Sequence, residues 1–434
     1  MKYSPDAYLL HESNRFITFN IRIKVAMKDT VDSEQLEMAA QKAFRRFPYY
    51  AKQIKIDEDG GIDLIPNPRP IKVHAVSAQR TYLFSEAVNY QPCSIEYEDN
   101  CIYFNMYHGI CGGCGVFLWI KTTIYEYICL RYGVRPDAGT TLMTDVPISE
   151  EEYAFPTTEG LPTDSPLGKL KKDEVWFPGL EYLFGFGNLL FGDSVHYEFQ
   201  IPKSDLMRFI KAHDGSPMTV VAAIMAKALY RALPKLKLPL RIESNHNYRE
   251  EVGCPKTHHD LLSHIFLLIP SRARDWPIDK ICTVFRGSTY LQSQPEYAYD
   301  TLRRFYAYTD IVDGVKGLKN KNKYASKYSH RVPDVHNSAL INYVGREDWG
   351  SMTEYVERVH IITDAHLLFE IADVGENFCI SLMQMNRKTK YMDCFCRILE
   401  EESIPYKMIG MFNNHLPISK VESAPVCQEN ETVS

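Results

Sequence analysis

A strand that ends in a histidine, followed at once by a glycine-rich turn and a long apolar segment, is the feature that most constrains the fold. Residues 101–108 alternate in the period of a strand. Four side chains fall on one face of it: Ile102, Phe104, Met106 and His108. The turn covers residues 109–115, and residues 116–132 then predict a buried helix. This order holds an imidazole at a sheet edge, where glycines let another backbone approach closely.

Strands and helices alternate along the rest of the chain. Further strands are predicted near residues 15–28, 51–56, 196–201, 239–246, 264–269, 338–344, 355–363, 367–374 and 377–384. Further helices are predicted near residues 32–46, after a cap at Ser204, from Thr219 to Leu233, and near 276–293, 297–315 and 388–402. The basic stretch 316–323 is predicted as an exposed loop.

The order strand, helix, strand, strand, helix recurs in both halves and indicates an α/β fold of two lobes, each a mixed sheet flanked by helices. A stretch rich in Pro, Gly, Ser and acidic residues separates the halves over 134–192. The predicted division is an N-terminal lobe over 1–150, a crossover linker over 151–192, a C-terminal lobe over 193–416 and a flexible tail over 417–434.

Composition excludes several classes of protein. The net charge is -6 and no basic stripe is present, which argues against nucleic acid as a partner. The most apolar-looking stretch, 175–192, is interrupted by Pro178, Glu181 and glycines, so no transmembrane segment is predicted. The first ten residues lack the apolar run of a secretory signal. We therefore expect a cytoplasmic protein with reduced thiols.

His108 is the candidate base, because an imidazole at the floor of a cleft can take up a proton near neutral pH. A buried structural histidine is the alternative that this segment alone leaves open. The nearby pair Cys111 and Cys114 raises three others: a zinc site, a redox pair and a thiol nucleophile. Partners for such a zinc site would be Cys394, Cys396, His258 or His259. These spacings form no recognised site, so we predict no metal and assign the cysteines to packing beneath the helix.

Residues 104–115 resemble the His-x-x-x-Asp-Gly motif of the CoA-dependent acyltransferase superfamily. That superfamily includes chloramphenicol acetyltransferases, condensation domains of peptide synthetases and alcohol acetyltransferase-like proteins, and this chain is most similar to the last group. Further matching segments are Phe44–Tyr50, Asn247-Tyr-Arg249 with Pro255-Lys-Thr257, and Asn342-Tyr-Val-Gly345. The likeness spans roughly residues 10–410.

The resemblance implies two chloramphenicol-acetyltransferase-like lobes with a tunnel between them and His108 midway along it. An acyl group would pass from a thioester, either acyl-CoA or a phosphopantetheinyl chain on a carrier protein, to the hydroxyl or amine of a small acceptor. No permanently bound cofactor is implied. Asn342, Gly113 and Tyr107 are the implied oxyanion or substrate-binding residues, and Gly345 is structural. His246 and Tyr248 are further candidates for the tunnel wall.

One departure from the motif concerns Gly112, which stands where the family has its Asp. In the family that Asp pairs with an Arg and braces the loop, and Arg249 is the matching arginine. Either another group braces the loop here and the chain is a working transferase, or it is a degenerate homologue that binds or scaffolds. We expect Arg249 to pair with another carboxylate or to face solvent. We further expect Gly112→Asp to raise activity if the brace is what is missing.

Overall fold

The computed structural model describes residues 1–13, 19–162, 194–328, 337–345, 347–363, 367–385 and 387–425. The aromatic run at 175–192 and most of the predicted crossover lie outside these ranges. None of the helices in the described ranges is both long enough and apolar enough to span a membrane.

The regular elements follow the predicted α/β pattern. The strands are β1 Asn20–Met27, β2 Lys52–Ile56, β3 Ile62–Pro66, β4 Val73–Ala75, β5 Tyr82–Leu83, β6 Cys93–Glu98, β7 Cys101–Tyr107, β8 Val195–Pro202, β9 Leu240–Asn247, β10 Leu262–Ile269, β11 Ala339–Tyr343, β12 Val356–Thr363, β13 Leu367–Val374, β14 Asn377–Gln384, β15 Lys407–Asn413 and β16 Ile418–Ser419. The helices are α1 Ser33–Phe44, α2 Gly113–Tyr132, α3 Lys203–Ala212, α4 Pro217–Ala232, α5 Ile278–Gln292, α6 Pro295–Asp313, α7 Leu318–Tyr328 and α8 Lys390–Glu401.

The first sheet has five strands in the order β12-β1-β7-β6-β4. Strand β1 lies between β7 and β12 and pairs antiparallel with both. Helices α1 and α2 pack against each other, and their apolar side chains share one core with this sheet. Strand β12 comes from the C-terminal half of the chain, so this sheet contains strands from both halves.

The second sheet has seven strands in the order β10-β9-β11-β13-β14-β8-β15. Strand β11 runs parallel to β9 and β13, whereas the other pairings are antiparallel. Helices α4, α5 and α8 cover it and build a second core. The two mixed sheets with flanking helices confirm the predicted fold class.

A buried ion pair joins the two sheets. Lys24 of β1 places Nζ 2.9 Å from Oε1 of Glu198 on β8, and both side chains are buried. His196 Nε2 lies 3.2 Å from the same carboxylate oxygen. A lysine beside a carboxylate offsets the cost of burying each charge alone, so the pair fixes how the sheets meet.

Local sequence explains where two of the helices begin. The Asp32 carboxylate accepts the backbone N–H of Gln35 and caps α1. Ser216 and Thr219 cap α4 reciprocally, with Pro217 as its first residue. The predicted cap at Ser204 is wrong, because α3 begins at Lys203 after Pro202.

Two other predictions need correction. Residues 318–328 form α7, and residues 316–323 are therefore not an exposed loop. Lys321 is buried there, with Nζ donating to the carbonyl of Val312 at 2.6 Å. The predicted flexible tail is also wrong for residues up to 425, because β16 pairs with β5 and the backbone N–H of Ala424 donates to Ile54. Residues 426–434 lie outside the described ranges.

Candidate active site

His108 follows β7 directly and opens a short 3-10 turn. Its backbone N–H donates to the carbonyl of Phe19 at 2.7 Å, which holds the turn against the segment before β1. The side chain is 26% exposed. It lines two adjoining cavities of about 130 and 410 Å³, hereafter the smaller and the larger cavity. His108 is therefore accessible from both spaces and is not a sealed core histidine.

The smaller cavity lies toward the start of α2, and the larger one lies toward the N-terminal segment. Residues that line only the smaller cavity include Gly112, Gly113, Phe117, Asn247 and Arg249. Residues that line only the larger cavity include Asp6, Phe155, Glu243, Tyr248, His259, Asp260 and Phe305. Among the described residues, both cavities share five polar ones that mark the junction: His108, Asn245, Asn342, Thr363 and Glu370.

Asp260 supplies a carboxylate beside His108. Its Oδ2 lies 3.1 Å from His108 Nδ1. A Cβ built at Gly112 would lie only 2.3 Å from Asp260 Oδ1, so this carboxylate fills the space that a side chain at position 112 would need. The group missing from the motif is thus replaced in space by Asp260, which stands just before β10.

Arg249 was expected to pair with a carboxylate or to face solvent, and both expectations are wrong: it is buried, and its guanidinium partners among the described residues are two backbone carbonyls and one amide oxygen. Its Nε donates to the carbonyl of Thr257 at 3.1 Å, and its Nη2 donates to the carbonyl of His259. A further bond from Nη1 reaches Asn247 Oδ1 at 3.1 Å. The guanidinium therefore holds the segment that leads directly into Asp260.

A second buried group, Asp6 with His258 and His259, anchors the same segment. Asp6 Oδ1 lies 2.5 Å from His259 Nδ1, and Asp6 Oδ2 lies 3.4 Å from His258 Nε2. The other nitrogen of His258 meets the carbonyl of Glu152 at 2.6 Å. Burial alone would raise the pKa of Asp6, but the charges and hydrogen bonds of His259 and His258 outweigh it and lower that pKa.

The donor atoms of Asp6, His258 and His259 lie close enough together for a metal ion. Around a tetrahedral zinc ion, however, ligand atoms at about 2.0–2.1 Å from the metal stand roughly 3.3 Å apart. The 2.5 Å separation between Asp6 Oδ1 and His259 Nδ1 is instead that of a short, charge-assisted hydrogen bond. This group therefore serves to hold the loop before β10.

Glu370 lies at the junction of the two cavities and is only 5% exposed. Its Oε1 accepts a hydrogen bond from Asn342 Nδ2 at 2.9 Å, and Asn342 Oδ1 in turn accepts one from Asn245 at 3.1 Å. Burial raises the pKa of Glu370 to about 7, although Asn342 and His108 oppose the rise. The junction thus contains a carboxyl group that titrates near neutral pH.

Burial of Glu370 predicts that stability depends on pH. Its pKa rises from 4.5 to about 7 on folding, so the folded protein holds this proton more tightly than the unfolded chain. Glu370 should therefore destabilise the fold increasingly as the pH rises from about 4.5 to 7, by up to about 3 kcal/mol. Glu370→Gln should remove this loss. Urea unfolding at pH 5 and pH 8 measures the loss of stability, and Glu376→Gln, at an exposed glutamate, is the control. If the free energy of unfolding changed by the same amount between pH 5 and pH 8 in wild type and in Glu370→Gln, the prediction would be contradicted.

The other predicted site residues lie at different distances from the junction. Gly113 lines the smaller cavity, where an added Cβ would come within 3.3 Å of Val344. Gly345 has φ +91°, a conformation that requires glycine after β11. Tyr107 is fully buried and donates to the carbonyl of Asp6, so its observed role is to support the wall of the larger cavity. Asn342 lines both cavities.

The remaining candidates from the sequence are two cysteines, His246 and Tyr248. Burial raises the pKa of the Cys111 thiol, which argues against a thiolate nucleophile. The side chain of Cys114 lies outside what the structure describes. His246 pairs with Glu251 at 2.8 Å and is not among the described residues that line either cavity, whereas Tyr248 lines the larger one.

Comparison with known proteins gives structural neighbours only. No protein-family model and no curated protein sequence matches the chain. TRI101 from F. graminearum, complexed with coenzyme A and T-2 mycotoxin, is 13% identical, with a TM-score of 0.60 over 93% of this chain and 99% of that one. The first condensation domain of the CDA synthetase is 12% identical, with a TM-score of 0.57 over 92% and 94%. Polyketide synthase associated protein 5 from Mycobacterium tuberculosis is 12% identical, with a TM-score of 0.54 over 88% and 92%.

These matches cover nearly the whole of each chain, so the likeness extends over both lobes. At such identities a shared architecture is established and the chemistry is not. The chain therefore has the two-lobed fold of condensation domains and CoA-dependent acyltransferases.

Proposed function

We propose that this protein transfers an acyl group from a thioester to a hydroxyl or amine, with His108 as the general base. The observation that carries the proposal is the position of His108, at the junction of two cavities and beside the carboxylate of Asp260. Two substrates can then meet at one imidazole. The neighbours solved with coenzyme A, and the condensation domain, support a thioester as donor.

In this mechanism Asp260 orients the base. Its carboxylate lies 3.1 Å from Nδ1 of His108, so it would accept the Nδ1 proton in the complex with substrate and favour the tautomer whose Nε2 takes up a proton. As the acceptor attacks the thioester carbonyl, the acceptor proton moves to Nε2 and a tetrahedral intermediate forms. The carbon–sulfur bond then breaks, and the leaving thiolate takes the proton back from His108. No covalent enzyme intermediate is required.

Two groups are suited to stabilise the oxyanion. Asn342 donates to Glu370 through one N–H of an amide that carries two, so the second N–H is available to the junction. Helix α2 begins at Gly113 beside the smaller cavity, and its first N–H groups and dipole favour negative charge. Such preorganised donors are among the largest contributions to acyl transfer.

The alternative is a degenerate homologue that binds ligand or acts as a scaffold. Loss of the motif Asp at Gly112 is its basis. Asp260 weakens this alternative, because it occupies the space beside Gly112 and approaches His108. A chain that had lost catalysis would have no need to keep a carboxylate aimed at this imidazole.

A mass-spectrometric screen tests the function directly. The purified protein is incubated with a panel of acyl-CoAs and acyl-loaded carrier proteins, together with simple alcohols and amines. The expected result is an ester or amide together with free thiol, formed only with active protein. Binding of acyl-CoA or loaded carrier without any product would favour the degenerate homologue.

Replacing Asp260 with Asn should lower kcat by about 10²-fold or more, as when the carboxylate beside a catalytic imidazole is replaced by its amide. The amide keeps the volume but removes the charge that selects the tautomer. Nitrogen-15 NMR of the His108 ring should show protonation mainly at Nδ1 in wild type and a mixture in Asp260→Asn. Full activity with an unchanged tautomer would exclude the orienting role.

A further inference from the structure

The two cavities that meet at His108 differ in charge. Four carboxylates line the larger cavity: Asp6, Glu243, Asp260 and Glu370. Among its described lining residues there is no lysine or arginine, and the remaining titratable groups are histidines and Tyr248. The smaller cavity contains Arg249, and Glu370 is the one carboxylate among those of its lining residues that the structure describes. Three carboxylates of the larger cavity lie beside a histidine: Asp6 beside His259, Asp260 beside His108 and Glu243 beside His264. Glu370 has an amide as its partner instead, so it is the carboxylate of this cavity best placed to bind a cation.

Glu370 is the side chain at the junction that a bound cation would contact. Its side chain is only 5% exposed and lines the larger cavity. One of its oxygens accepts a hydrogen bond from Asn342. A buried carboxylate is costly unless it is paired or hydrogen-bonded. A ligand ammonium would supply a pairing charge within reach of the second oxygen.

The rest of the larger cavity's wall is partly apolar, with asparagine and threonine side chains between the apolar ones. Side chains that form its apolar part include Leu9, Phe155, Leu261, Phe305, Leu340 and Leu368. The cavity volume of about 410 Å³ accommodates a small ring or a short alkyl chain. The larger cavity is therefore suited to a ligand that has an apolar body and a positively charged end.

We propose that the larger cavity binds the acceptor, and that this acceptor is a protonated primary amine carried on an apolar chain or ring. This inference rests on the proposed function for the reaction and deepens it by naming the acceptor class. The anionic thioester donor would then approach from the side of Arg249.

The reaction balances as follows. The bound ammonium gives one proton to the Glu370 carboxylate and becomes a free amine. The amine nitrogen attacks the thioester carbonyl, and His108 takes a second proton from that nitrogen as the C–N bond forms. The C–S bond breaks, the thiolate takes the proton from His108, and Glu370 releases its proton to water. The products are an amide, a thiol and one proton.

Matched probes test the acceptor class by binding, without any need for turnover. The pairs are 2-phenylethylamine with 2-phenylethanol, and hexylamine with hexan-1-ol, titrated calorimetrically into the full chain at pH 7.5. Each amine should bind at least about tenfold tighter than its alcohol, as expected for a charge-assisted hydrogen bond. Glu370→Gln should abolish most of this preference while leaving the affinity for the alcohols within about twofold. The exposed Glu376→Gln is the matched control and should behave as wild type.

The outcomes separate the inference from the function. Equal affinity for amine and alcohol, no detectable amine binding, or an amine preference that survives Glu370→Gln would overturn the inference, even if esters form in the screen. A preference that depends on Glu370 in a protein that forms no product would support the cationic site and reject acyl transfer.

Discussion

Replacing His108 with alanine is expected to lower kcat/KM for acyl transfer by about 10²–10⁴-fold, the usual contribution of a positioned general base. The loss should appear mainly in kcat, because the imidazole acts on the proton in the transition state and contributes little to the volume or polarity of the ground-state complex. Single-turnover assays with the best donor and acceptor from the screen measure it.

The chain offers a closely matched control in His246. Like His108, its side chain is 26% exposed and approaches a carboxylate, here Glu251 at 2.8 Å. It is not among the described residues that line either cavity. His246→Ala should therefore retain activity within about twofold while it removes the same kind of pair. Equal activity losses in the two variants would mean that structural disturbance, and not base catalysis, explains the first.

Restoring the motif carboxylate with Gly112→Asp is expected to abolish most activity, which reverses the expectation from the sequence. The backbone tolerates a side chain, with φ -84° at this position. Space does not, because the new Cβ would lie 2.3 Å from Asp260 Oδ1. The Asp260 carboxylate must move away from His108, and two carboxylates would compete for one place. Overpacking of this kind costs about 1–3 kcal/mol, and we expect at least about a 10²-fold loss of kcat/KM, of the order of losing the oriented base.

The decisive variant exchanges the two residues. Gly112→Asp combined with Asp260→Gly removes the clash and supplies the carboxylate from the motif position. The double variant should be at least about tenfold more active than Gly112→Asp alone, a difference of about 1.4 kcal/mol in activation free energy, and the coupling energy follows once the loss in Asp260→Gly is measured as well. Additive losses in a double-mutant cycle would show that the two positions do not share one role. Thermal unfolding of all three variants checks that each remains folded.

Much of the fold could be predicted because it depends on local patterns. Strands β13 and β14 are largely apolar runs separated by the turn residues Gly375 and Glu376, and their predicted limits agree with those observed. Helix α7 was missed because its sequence is dominated by lysine and asparagine and carries only a weak apolar stripe. The interaction that retains it, Lys321 with the carbonyl of Val312, becomes evident only in three dimensions.

The candidate site could be predicted only in part from the sequence, because some of its contacts also arise only in three dimensions. His108, Asn342 and Gly113 stand in segments whose spacing points to them, and all three line the smaller cavity, His108 and Asn342 at its junction with the larger one. Asp260 was missed because it lies 152 residues beyond His108, outside any motif, and replaces a missing group through space. Glu370 was also missed, since a glutamate within an apolar strand gives no indication of which cavity it will face.

Because β12 comes from the C-terminal half of the chain, the first sheet can be completed only late in synthesis. Strand β12 closes an edge of the first sheet through pairs such as Ile23 with Ile361. During synthesis the first lobe therefore exposes the unpaired edge of β1 until residue 363 has left the ribosome. Contacts so distant in sequence slow folding and leave an edge open to wrong partners. Cleavage within the segment between the lobes should accordingly leave two fragments that stay associated, because neither contains a complete first sheet.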